Sequence, residues 1–273
     1  MRNRMALRNA AVLPILTVAC LAAASSSASA TAGSSGSLSY AAGTTSTAGM
    51  IDVGMVFSTV AAELVGTNRS YRAYFPDTSS AAGGSSPPRV ATVTLAQTTT
   101  SGPAAYRSIW ADIPSSNIAD VKTGAGVTAV VVNNPSLPNE VTTFGTGGGG
   151  WTPGRSYRLR VRQIARPSGG RRFRVSVTNV VTGGERVIVD FTRMSLTALS
   201  LRTAGDVYAN SEGTCASLFD ARASIDRPRG VRGSDGATIA ADPSPAFFSA
   251  TSASCPASQR WVSTDRIVID LGR

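Results

Sequence analysis

The chain has 273 residues, a formal net charge of +10 and no histidine. That length suits one large all-β domain or two small ones. The missing imidazole excludes a serine–histidine or cysteine–histidine nucleophile system and removes the commonest zinc ligand. In chain order, Met1 to Ala30 opens with Arg2, Arg4 and Arg8, continues through an apolar run from Ala10 to Ala24 and ends at Ala28-Ser29-Ala30. A basic start, a short apolar stretch and a small-x-small end predict a cleaved secretory signal, and the apolar run is short for a membrane span. Thr17-Val18-Ala19-Cys20 is a lesser alternative, a lipid anchor through Cys20. Residues 31–49 are rich in Ser, Thr, Gly and Ala and predict a flexible leader, with a first edge strand around Ser37 to Ala41.

Strands are expected over Met50 to Val65, where a short helix from Thr59 is the other option, and over Arg69 to Phe75, Arg89 to Gln97 and Ala105 to Ile113. Asp77 to Pro88 reads as loop, and Ser115 to Gly126 as loop with a possible helical turn. Val127 to Asn133 is a continuous apolar run suited to a core strand, and Glu140 to Phe144 a short strand. Gly145 to Gly150 is too glycine-rich to pack by side chains.

The clearest stretch is Trp151 to Phe191. Tyr157, Leu159 and Val161 alternate with Arg158, Arg160 and Arg162; Phe173, Val175 and Val177 alternate with Arg172, Arg174 and Ser176; Val187, Val189 and Phe191 alternate with Arg186, Ile188 and Asp190. Period two with one apolar face predicts three half-buried antiparallel strands, turning at Pro167-Ser168-Gly169-Gly170 and Thr182-Gly183-Gly184-Glu185. Beyond it, Met194 to Leu201 fits strand or short helix. Asp206 to Ala209 leads into a loop through Cys215. Ala216 to Ile225 is a weak strand, Asp226 to Gly236 a polar loop, Thr238 to Ala246 ambiguous, and Arg260 to Leu271 a closing strand. Ten or so short strands with no convincing long helix predict a single antiparallel β-sandwich or jelly roll over residues 50–273.

Cys215 and Cys255 are the two cysteines after the signal, and outside the cytoplasm an even pair predicts a disulfide. Closing a loop of about 41 residues contributes roughly 4 kcal/mol of unfolded-state entropy. The charge falls to +7 without the signal arginines, with Lys122 the sole lysine. That balance favours anionic partners. If the three-strand unit forms, Arg158, Arg160, Arg162, Arg172, Arg174 and Arg186 share one sheet surface. Cross-strand like charges cost a few tenths to about 1 kcal/mol per pair. Such a surface is either well solvated in an arginine-biased chain or arranged for an anionic group. Trp110, Trp151 and Trp261 are candidate sugar-stacking platforms or core residues. Trp151 is the best candidate for exposure because it borders a side-chain-poor loop. Four Glu (63, 140, 185 and 212) and twelve Asp remain after the signal, in no spacing diagnostic of a glycosidase pair.

Tyr106-Arg107-Ser108-Ile109-Trp110-Ala111-Asp112, the glycine-rich segment Phe144 to Gly150 and the strand from Trp151 to Val161 resemble a family of secreted actinobacterial β-sandwich domains of unknown function. Gly213 to Ser217 and Ser254 to Ser258 look like that family's paired-cysteine ending. The resemblance covers about residues 89–271. It implies a concanavalin-A-like or jelly-roll fold and secretion, and no established activity.

Together these features lead to the expectation of a secreted, non-catalytic binder of extracellular or cell-wall carbohydrate, neutral or anionic, with a glycan-active hydrolase or lyase and a structural or adhesion module as alternatives. The expected ligand contacts are Trp151, Trp110, Asp112 and the six arginines. No cofactor, metal, specific nucleic acid or transmembrane segment is expected.

Overall fold

The computed structural model describes residues 31–40, 49–61, 69–76, 90–99, 106–115, 118–132, 141–194, 199, 203–212, 215, 221–241, 246–249 and 255–271. The expected signal segment, the loop expected from Asp77 to Pro88 and most of Met194 to Leu201 lie outside them. Among these residues the chain forms eighteen strands and no α-helix. The first eight are β1 (Thr31–Tyr40), β2 (Met50–Ala61), β3 (Arg69–Pro76), β4 (Thr92–Thr99), β5 (Tyr106–Pro114), β6 (Ile118–Thr123), β7 (Val127–Val132) and β8 (Val141–Thr146). Then come β9 (Ser156–Ala165), β10 (Gly170–Asn179), β11 (Glu185–Met194), β12 (Thr203–Glu212) and β13 (Ala221–Asp226). The last are β14 (Arg229–Arg232), β15 (Thr238–Ala240), β16 (Ala246–Ser249), β17 (Ala257–Ser263) and β18 (Arg266–Leu271).

They build two antiparallel sheets. The eight-stranded sheet has the order β16-β1-β12-β3-β4-β5-β8-β7, and the ten-stranded sheet runs β17-β18-β13-β2-β9-β10-β11-β6, with β14 and β15 added beside β2. One hydrophobic cluster joins their inner faces. Val93, Leu95, Ile109, Ala111, Ile113, Val207 and Ala209 come from the eight-stranded sheet. Val53, Met55, Phe57, Leu159, Val161, Phe173, Val175, Ile225, Ile267 and Ile269 come from the ten-stranded sheet, and all of these are at most 1% exposed. This is an all-β antiparallel sandwich, as the alternation predicts. Each fully buried aliphatic or aromatic side chain contributes about 1.5–3 kcal/mol.

The three-strand unit forms as β9, β10 and β11. Gly169 takes the first turn at φ +82° and Gly183 the second at φ +70°. Asn179 Oδ1 accepts the Val181 and Thr182 N–H groups at 3.0 and 3.2 Å, closing the second turn. Cys215 and Cys255 are disulfide-bonded, with Cα atoms 5.3 Å apart.

Several local expectations are corrected. The first strand, expected at the edge around Ser37 to Ala41 after a flexible leader, already begins at Thr31 and pairs on both sides, with β12 and β16. Its small residues suit close packing: Ser34 is buried and donates to the Pro256 carbonyl at 2.7 Å. The predicted loop Ser115 to Gly126 contains β6, an exposed edge strand paired to β11. The apolar run from Val127 is an edge strand too, paired with β8 alone, with Val130 41% exposed. Asp206 to Ala209, expected to lead into a loop, lies within β12, which runs on to Glu212 in the middle of the eight-stranded sheet. The closing strand is a hairpin of β17 and β18. In all of these, backbone pairing rather than side-chain periodicity makes the strand.

Candidate anion-binding site

The sheet register divides the expected ligand contacts among four places. Trp110 and Asp112 alternate with the buried Ile109, Ala111 and Ile113, so they lie on the outer face of the eight-stranded sheet. The Trp110 indole lies across its cross-strand neighbour Gly145, where an added Cβ would stand 3.2 Å from Cδ1. Asp112 accepts a hydrogen bond from Thr143 Oγ1 at 2.7 Å.

Trp151 is in the core at 3% exposure, contrary to its expected exposure. Its indole N–H donates to the carbonyls of Ala96 at 2.9 Å and Ser108 at 3.1 Å, on the neighbouring strands β4 and β5. The glycine loop before it delivers the ring inward. Gly149 and Gly150 adopt φ of +85° and +135°, conformations that side-chain-bearing residues rarely take.

Arg186 also leaves the expected surface. The β10–β11 register shifts between Val175 and Ser176, so Val175 faces Val189 but Ser176 faces Val187 and the buried Val177 faces Arg186. The extra residue, Ile188, makes a β-bulge that turns Arg186 to the inner side at one end of the sandwich. There a Cβ on Gly150 would be 3.4 Å from Arg186 Nη1 and 3.3 Å from Ile109 Cδ1.

The other five arginines do share the outer face of the ten-stranded sheet, but neighbouring strands supply carboxylates. Register aligns Asp52, Arg162, Arg174, Asp190 and Lys122 across β2, β9, β10, β11 and β6. Arg174 binds Asp190 through both carboxylate oxygens at 2.8 and 2.9 Å. Arg160 does the same with Asp52, with its Nε 2.8 Å from Oδ1. The Asp190 and Asp52 hydrogen bonds raise the guanidinium pKa values of Arg174 and Arg160 against the opposing effect of burial. Arg162 Nη2 is 3.6 Å from Glu185, which also accepts from Ser176 Oγ at 2.7 Å. Arg158 and Arg172 make no ion pair among the described residues.

On this face a cavity of about 400 Å³ opens between β2–β9 and β13–β14. Arg158, Arg160, Arg227 and Arg229 line it together with Asp52, Asp226 and Asp265. Its floor includes Gly54, which pairs with Arg160 on one side and Arg229 on the other. An added Cβ there would lie 3.3 and 3.4 Å from Cγ and Cδ of Arg158, so the Arg158 stem crosses the glycine. Asp226 is held by Arg266 at 2.5 and 3.0 Å. Asp265 lies 2.7 Å from Arg227 and 3.2 Å from Arg229. Sequence reasoning missed Arg227 and Arg229 because they fall in the segment assigned to polar loop. The Arg-Pro-Arg spacing at 227–229 was the available signal. Among the described residues no group of three or more His, Cys, Asp or Glu side chains could hold a metal ion, and no helix is long and apolar enough to cross a membrane.

No family model and no curated protein matches the chain. Among solved structures it is similar to scytalido-glutamic peptidase bound to a transition state analog inhibitor, at 10% identity and a TM-score of 0.37, over 87% of this chain and 97% of that one. A likeness that distant assigns neither activity nor site.

Proposed function

We propose that the protein is secreted and binds an anionic extracellular polysaccharide without turning it over, with the Arg158–Arg229 groove as its contact. The observation that carries this is the convergence of four arginines on one cavity, one of them, Arg158, with no carboxylate partner among the described residues. The planar guanidinium fork suits paired oxygens of a carboxylate, sulfate or phosphate, and the cavity is in the size range of small-ligand sites. A hydrolase or lyase would need an acid–base pair free to act. Asp52, Asp226 and Asp265 are each engaged by an arginine side chain, so the groove offers charge for recognition. The test is affinity electrophoresis through gels carrying polygalacturonate or neutral glucan, at low and high salt. Retention by the acidic polymer alone, weakened by salt and by the double substitution Arg158→Ser/Arg229→Ser, is expected. Equal retention by both polymers, or a double variant retained like the parent, would reject the proposal.

A further inference from the structure

Within the groove, and resting on the reading just given, we infer that the recognised group is a uronate carboxylate and that Asp265 is its internal stand-in, displaced when ligand binds. Asp265 sits in the turn between β17 and β18 with its side chain 42% exposed. One oxygen lies 2.7 Å from Arg227 Nη2, yet that oxygen and Arg227 Nε are both buried with no hydrogen-bond partner. The pair is close but misaligned, and a buried donor and acceptor are left unsatisfied. The other oxygen receives only a 3.2 Å contact from Arg229, whose side chain is 57% exposed.

The backbone of the turn is fixed independently of this contact. The Arg227 N–H donates to the Asp265 carbonyl at 2.7 Å, and the Asp265 N–H donates to Ser263 Oγ at 3.3 Å. Rotation of the Asp265 side chain into water therefore frees Arg227 and Arg229 without moving a strand. The Arg229 pair is exposed on both sides and holds weakly, while the buried Arg227 contact lacks an aligned hydrogen bond. Arg158, whose stem crosses the register partner of Arg229, lines the same cavity and gives it a further cation. A sugar carboxylate carries the same planar pair of oxygens but is not tethered to the turn, so it can align with the Arg227 and Arg229 guanidinium groups where Asp265 does not. It also engages Arg158, which Asp265 does not.

The experiment compares full-length parent, Asp265→Asn and Asp265→Ala for binding to oligogalacturonate and to a sulfated oligosaccharide of equal length by calorimetry. Both variants are expected to bind oligogalacturonate about five- to tenfold more tightly than the parent, with little gain for the sulfated chain. If the parent binds oligogalacturonate through Arg158 and Arg229 but neither variant gains, the displacement idea fails while the groove remains the site. An equal gain for both ligands overturns the carboxylate assignment. If no protein binds either ligand, the groove reading itself falls, and this inference with it.

Discussion

Arg174 and Arg158 stand on adjacent strands of one sheet and project from the same face, yet they occupy opposite electrostatic situations. Arg174 lies beside an aspartate on the next strand and binds it through both oxygens. Arg158 has Val56 and Thr178 as its cross-strand neighbours and bends over a glycine. The same alternating pattern thus yields a neutralised ladder in one place and an open cationic groove in the other. A row of arginines on a strand says little about ligands until the residues facing it are known. Asp52 and Asp190 are more than a hundred positions apart in sequence and bracket the Arg162–Arg174 pair only because β2 and β11 flank β9 and β10.

The largest expected effect separates fold from site. Trp151→Ala removes a core indole and its two hydrogen bonds to Ala96 and Ser108, and should lower stability by about 3–5 kcal/mol in urea unfolding. Since the ring is sandwiched in the core rather than set on the arginine face, polyuronate affinity of the folded fraction should not change. Lost affinity at unchanged fold would return Trp151 to the binding surface.

Next in size is Asp190→Ala, which turns part of the ladder into something like the groove. Asp190 is 6% exposed and the Arg174 side chain 30% exposed. Breaking a fully buried pair costs about 3–5 kcal/mol and an exposed pair about 0–1, so roughly 2 kcal/mol is expected. If neutralisation is what distinguishes the two regions, the variant should also gain weak, salt-sensitive retention on polygalacturonate. A destabilised variant with no such gain would show that shape, rather than the missing carboxylate, makes the groove.

How much of this was legible follows from which forces set each feature. The apolar alternation of β9 and β10 fixed their inner faces because period two leaves one register that buries Leu159, Val161, Phe173 and Val175 together. In β11 the consecutive Val187-Ile188-Val189 broke the alternation, and the bulge sits there. Taking the alternation as unbroken put Arg186 on the wrong face. Trp151 was hidden because its acceptors are 55 and 43 residues away, on strands whose pairing no local pattern encodes. The groove was least legible. It needs β14, a four-residue strand made by pairing with β2, and an aspartate from the turn of a hairpin that reads as one strand.

The smallest effect belongs to a third arrangement, in which an arginine is neutralised by its own turn. At the tip joining β14 to β15, Asp235 accepts from Arg232 Nη2 at 2.5 Å and from the Ala237 N–H at 3.0 Å. The Arg232 hydrogen bond, then the Ala237 N–H, lower the Asp235 pKa from 3.8 to about 2. A carboxyl whose folded pKa is depressed stabilises the fold fully above its unfolded value and stops doing so as the pH falls through the folded one. Asp235→Asn should therefore melt slightly below the parent at pH 6, and that gap should close between about pH 4 and pH 2. A gap that persists at pH 2 would mean that Asp235 acts through the shape of the turn and not through its charge. The contrast with Arg158 would then rest on local geometry in both places. At the turn, a carboxylate three residues from Arg232 is close enough to reach it. Around Arg158 the register supplies only Val56, Thr178 and the bare backbone of Gly54.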